Sequence, residues 1–208
     1  MSRYESSKFI KDPKTMNQAA LIQACEKLGW KYRVENNTLL VTDAKQSSQM
    51  YGEYVLKVEG NTVTYNSYYL DNGQQLIEEL KSTFFPLNVE YAKKSVIDAF
   101  SRNGFTFQRI WRYKAKEGEV DRFAMVGYTK DPAETEKRYE IVFSVFKDGT
   151  VVTDSNYLPD DVNELAHKSM DELQKLFGNE RVMTKKPEYE IFMRTHKRVN
   201  TSTNKIKN

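Results

Sequence analysis

Apolar and polar positions along this chain recur with two different periods. In residues 20–34, ALIQACEKLGWKYRV, the apolar residues Leu21, Ala24, Cys25 and Leu28 fall at helical spacing and stop at Gly29. Trp30 and Tyr32 then alternate with polar neighbours, the period of a strand. Residues 95–109, SVIDAFSRNGFTFQR, repeat the design, stopping at Gly104 and continuing through Phe105 and Phe107, and Leu165 to Gly178 repeats it more loosely. The pattern predicts helices packed on sheets. Asp12-Pro13 predicts the start of the first helix, because Asp accepts from orphan amides and Pro suits the first helical position.

Two hairpins follow from turn chemistry. Residues 30–34 and 38–42 flank Glu35-Asn36-Asn37, and residues 51–58 and 62–69 flank Glu59-Gly60-Asn61. Leu76, Ile77, Leu80 and Phe84 mark a short helix that Pro86 ends. Asn88 then caps another, carrying Val89, Ala92, Val96, Ala99 and Phe100. Strands are predicted at 105–111 and 120–128. The stretch TKDPAETEKR, 129–138, is the most charged and least periodic inside the chain, and it reads as a module boundary.

Beyond it Tyr139, Ile141, Phe143 and Val145 alternate with their neighbours, Lys147-Asp148-Gly149 turns the chain, and residues 150–154 return. Asp161 and Glu164 have capping-box spacing. The helix they open puts Val162, Leu165, Ala166, Ser169, Leu173, Leu176 and Phe177 on one face and closes at Gly178. The expected fold class is α+β: helices packed on antiparallel sheets in two closely associated modules, 1–130 and 138–194, followed by a basic, disordered tail, 195–208.

Composition narrows this picture. The 208 residues include one cysteine, which cannot form an internal disulfide, and Cys25 falls on an apolar helix face. A reducing compartment follows. No apolar run approaches a membrane span, and the N-terminus lacks a signal-peptide core, so the expected location is cytoplasmic. The net charge is +3, but Lys197, Arg198, Lys205 and Lys207 in the tail supply four positive charges without an acid, leaving the rest near −1. A basic footprint is therefore confined to that tail.

Chemistry is sparse. Two histidines, His167 and His196, and one cysteine cannot assemble a zinc site of recognised spacing. Nucleophile-elbow, phosphate-loop and dinucleotide fingerprints are absent. Asp160-Asp161 reads as helix capping and Asp148 as a turn residue. No cofactor is expected, and no enzyme. The aromatic set carries more: Tyr51, Tyr54, Tyr65, Tyr68 and Tyr69 cluster on two predicted strands, and Arg109, Trp111 and Arg112 make a basic-aromatic spot. These residues read as core packing plus a protein-binding face. The alternative is a platform for nucleobases, aided by the Lys197, Arg198, Lys205 and Lys207 tail, although Glu53 and Glu59 oppose it.

Two resemblances become visible at this point. Met1-Ser2-Arg3-Tyr4, Ile10-Lys11-Asp12, Leu28-Gly29-Trp30, Tyr91-Ala92, Val96-Ile97 and Gly104-Phe105, spread over residues 1–112, resemble the plastid open-reading-frame thirty-five family. That uncharacterised family occurs in plastids, cyanobacteria, other bacteria and phages, usually with His-Phe where Arg3-Tyr4 stand here. Residues 138–190, with the Asp148-Gly149 turn, Leu176-Phe177-Gly178 and Lys186-Pro187-Glu188-Tyr189, resemble a small domain of unknown function often encoded beside the first, near an AAA-type ATPase. A Gly-x-x-Cys usual in that domain is replaced by Tyr157-Leu158-Pro159-Asp160-Asp161. The chain looks like the two neighbours fused, which raises the effective concentration of modules that must pair. The resemblance implies an adaptor or regulator, a partner of an AAA-type ATPase or a phage-encoded modulator of host machinery, and implies no catalytic residues.

Overall fold

The computed structural model describes residues 3–45, 53–115, 118–133, 137–155 and 157–177, without the side chains of 112–119. The fold is α+β, with two antiparallel sheets and three helices. The first sheet is built from β1 (Tyr4–Lys8), β2 (Lys31–Glu35), β3 (Thr38–Asp43), β4 (Leu56–Glu59) and β5 (Thr62–Asn66), in the order β1-β5-β4-β3-β2. The second holds β6 (Thr106–Ala115), β7 (Gly118–Tyr128), β8 (Arg138–Val145) and β9 (Val151–Ser155) in sequence order. The helices are α1 (Gln18–Leu28), α2 (Gly73–Arg102) and α3 (Asp160–Phe177).

Local chemistry sets the first elements. Asn36 and Asn37 both take positive φ, 47° and 63°, the backbone that a two-residue turn between right-twisted strands requires. Gly29 ends α1 with φ 67°, its N–H bonded back to the last turn. Asp12-Pro13 opens something shorter than expected, a 3-10 turn over Pro13–Thr15 in which Asp12 accepts from the Lys14 N–H at 2.9 Å. Met16 returns to extended backbone, and Asn17 then caps α1 through the Ala19 and Ala20 amides. The second hairpin is shorter than its hydrophobic pattern, because β4 starts at Leu56 and β5 ends at Asn66. Strand β1, with the polar sequence YESSK, is fixed by pairing with β5 rather than by any periodicity of its own.

The largest departure concerns α2. Two helices divided at Pro86 were expected, yet one helix of 30 residues runs through it. A proline in a helix interior removes one backbone bond and costs about 3 kcal/mol, and packing on both sides offsets it. Phe84 is fully buried in the first core, and Asn88 donates its amide to the Thr15 carbonyl at 3.0 Å and the Asp148 carbonyl at 2.8 Å. Leu76, Ile77, Leu80 and Phe84 belong to the first core, Val96, Ala99 and Phe100 to the second. At roughly 100° per residue these sets centre about 140° apart around the helix. A single helix is thus shared by two cores.

Residues 129–138, the expected junction, join β7 to β8. Those strands pair from Asp121 opposite Val145 to Tyr128 opposite Arg138, so the charged stretch is a loop within one sheet. The expected capping box is also different. Helix α3 begins at Asp160, and the Asp161 carboxylate in its first turn accepts from the Lys130 N–H at 2.7 Å, Thr129 Oγ1 at 2.9 Å and the Val162 N–H at 2.9 Å. Glu164 pairs with Lys168 at 2.9 Å. On the same helix Val162, Ser169 and Leu173 are buried as its pattern requires, whereas Leu176 is exposed. Gly178, which should close that helix, lies outside the described residues.

Candidate functional site

The tyrosines named from sequence do not gather on one face. Tyr65 points into the first core and donates its hydroxyl to Glu5 at 2.7 Å. Tyr54 is half-buried before β4. Tyr68 and Tyr69 stand exposed after β5, their rings edge to face with centroids 4.9 Å apart. Tyr51, like the tail residues Lys197, Arg198, Lys205 and Lys207, lies outside the described residues. On this sheet several basic side chains are paired: Arg33 with Glu35 at 3.0 Å and Glu53 at 3.9 Å, Lys57 with Glu59 at 2.7 Å. Little net positive potential remains there to hold phosphates.

Arg109 and Trp111 belong to the other sheet. Strand alternation sends Phe123, Met125, Ile141, Phe143 and Val145 to the helix side, where α2 and α3 bury them. The opposite face carries no helix among the described residues. Register places Trp111, Arg122, Ser144 and Val152 in one row across it and Arg109, Ala124, Val142 and Asp154 in the next. The Arg109 guanidinium stacks over the Trp111 ring, 5.0 Å from its centroid. Arg122 donates through Nε to Ser144 Oγ at 3.0 Å. Val152 and Tyr128 are exposed on this face by 50% and 42%, a large fraction for apolar side chains. At the edge, Ile110 on the helix side of β6 is 51% exposed because the helices do not reach it. Arg112 lies on β6, and its side chain is among those not described.

Reactive groups are few. Cys25 is buried in the first core, and burial, helped by Glu26, pushes its thiol up to about 12, which leaves it protonated and inert. His167 is exposed on α3. Among the described residues no three His, Cys, Asp or Glu side chains stand close enough to hold a metal ion, and no helix is long and apolar enough to cross a membrane. A cavity of about 540 Å³ opens between the middle of α2, the β8–β9 hairpin and the end of α3. Asp12 and Lys14 are its charged lining residues, and Asp12 already caps the Pro13–Thr15 turn. Its walls are chiefly apolar, with Val96, Phe143, Leu173 and Phe177 among them.

Two contacts invisible in the sequence tie this sheet to α2. Lys93, buried on the helix, reaches Asp121 on β7 at 2.9 Å and also pairs with Glu90. Burial works against its charge, but the bonds to Glu90 and Asp121 outweigh that and hold its pKa above the usual lysine value. Asn88 is the second contact. A buried lysine and a buried asparagine on a helix surface are signals that a search for apolar stripes passes over. Compared with protein-family models, curated proteins and solved structures, the chain matches none. The resemblances read from sequence therefore rest on the short motifs quoted for them.

Proposed function

We propose that the protein is a non-enzymatic protein-binding module, an adaptor or regulator that docks its partner on the second sheet. The observation that carries this reading is the asymmetry of that sheet. Both helices cover one face, and the other presents exposed Val152 and Tyr128 beside the Arg109–Trp111 stack. Exposed apolar side chains mixed with arginine and tryptophan have the composition of an interface centre. By the family resemblance, the partner is an AAA-type ATPase, and a phage-encoded modulator would use the same face.

Affinity capture from a cell lysate tests this, at low and high salt and after nuclease, read by mass spectrometry. A defined protein retained at high salt after nuclease supports the reading. Recovery of nucleic acid and its companions alone, lost with salt or nuclease, sinks it. The Arg109–Trp111 stack favours one second reading, a nucleic-acid accessory protein, since bases stack on such a pair. That reading requires binding of a single-stranded oligonucleotide that weakens steeply with salt and on deletion of residues 195–208.

A further inference from the structure

The two sheets end in four strand edges, and three of them are guarded. Strand β2 carries Lys31, Arg33 and Glu35, paired to acids and bases around them, and a bulge at Lys31 and Tyr32. Strands β1 and β9 are five residues long, too short to template an extended contact. Strand β6 has ten residues, and among the described residues nothing pairs with its outer side. A register shift between Phe107 and Arg109 leaves Arg109–Ala115 as its regular stretch. Along it Ile110 is exposed on the helix side, and Arg109 with Trp111 lies on the other.

The sequence of β6, TFQRIWRYKA, includes three basic residues and no acid. Antiparallel pairing with a second copy would set like charges against one another, which disfavours a homodimer at this edge. A phosphate backbone lacks the alternating amides and carbonyls that a strand edge offers. An extended peptide has them. We propose that the outer edge of β6, over Arg109–Ala115, takes an extended, acid-rich segment of a partner protein. Main-chain bonds supply the affinity, and acidic side chains drawn to the bases of β6 supply the specificity. The proposal rests on the protein-binding reading and names the partner's chemistry.

Selection from a random dodecapeptide library on phage, against the full chain, tests it. The enriched peptides should be rich in acids, and their carbonyls should protect the β6 amides from hydrogen exchange in the wild-type protein. Arg109→Glu, at an exposed position, should weaken the same peptides at least tenfold, while Arg33→Glu on the first sheet leaves them unchanged. No enrichment, enrichment without acids, indifference to Arg109→Glu, or protection confined to other strands overturns the proposal. If a partner captured from lysate binds wild type and Arg109→Glu equally, the edge proposal falls while the protein-binding reading stands.

Discussion

At the scale of single residues, the close approach at Gly73 sets a sharp constraint. A methyl group there would overlap the Tyr65 ring, which is held in the core by its bond to Glu5. Gly73→Ala should therefore lower stability by about 1–3 kcal/mol through overpacking, although alanine in an unobstructed helix would raise it. Urea denaturation decides the sign, and a gain would mean that the ring moves aside freely. Asp161 offers a prediction in pH. The Lys130 amide holds its carboxyl below the usual carboxylate range, burial acting against this and Thr129 and Val162 adding to it. The folded pKa lies below the unfolded one, so this contribution is complete above about pH 4. It is lost as pH falls through the folded pKa. Asp161→Asn should lower the melting temperature at neutral pH and flatten its acid limb, and unchanged acid sensitivity would contradict the assignment. The turn asparagines and Gly29 were legible in the sequence, because each acts on its own backbone. The role of Asp161 was not, because its partners Thr129 and Lys130 are more than thirty residues away in the chain.

At the scale of elements, α1, the first hairpin and the β8–β9 hairpin with α3 follow from periodicity and turn residues, much as the sequence predicts. Helix α2 shows where such reading stops. Pro86 is a local signal to break, and the signals to continue are tertiary: Phe84 in one core, and Asn88 holding two loops 133 residues apart through Thr15 and Asp148. Asn88→Ala removes both bonds from a buried site, and the loss should be about 1–3 kcal/mol. Hydrogen exchange in the variant should rise at Pro13–Thr15 and at the β8–β9 turn together. A rise at only one of them would mean that Asn88 does not couple the two. The charged stretch at 129–138 misleads for a related reason, since composition marks solvent exposure and does not distinguish a linker from a loop inside a sheet.

At the scale of the whole molecule, a helix shared by both cores should make them unfold as one cooperative unit. The chain carries a reporter for each: Trp30 is buried in the first core and Trp111 lies on the second sheet. Trp111→Phe and Trp30→Phe leave one tryptophan apiece, and their urea transitions should share a midpoint once each variant's own stability is allowed for by circular dichroism. Two separated transitions in one variant would show that the cores unfold independently. The basic-aromatic spot at Arg109 and Trp111 was legible as composition. That Tyr65 turns inward while Val152, from a distant strand, joins Trp111 in a row was not, because only the register of the assembled sheet decides it. Docking of a protein on the second sheet can be read from paired affinity capture out of one nuclease-treated lysate at high salt. The wild-type chain is compared with a folded Arg109→Glu/Val152→Glu variant, quantified by mass spectrometry. A defined protein should be retained by the wild type and depleted at least tenfold on the variant. Equal retention by both chains, or no protein retained by either, would contradict it.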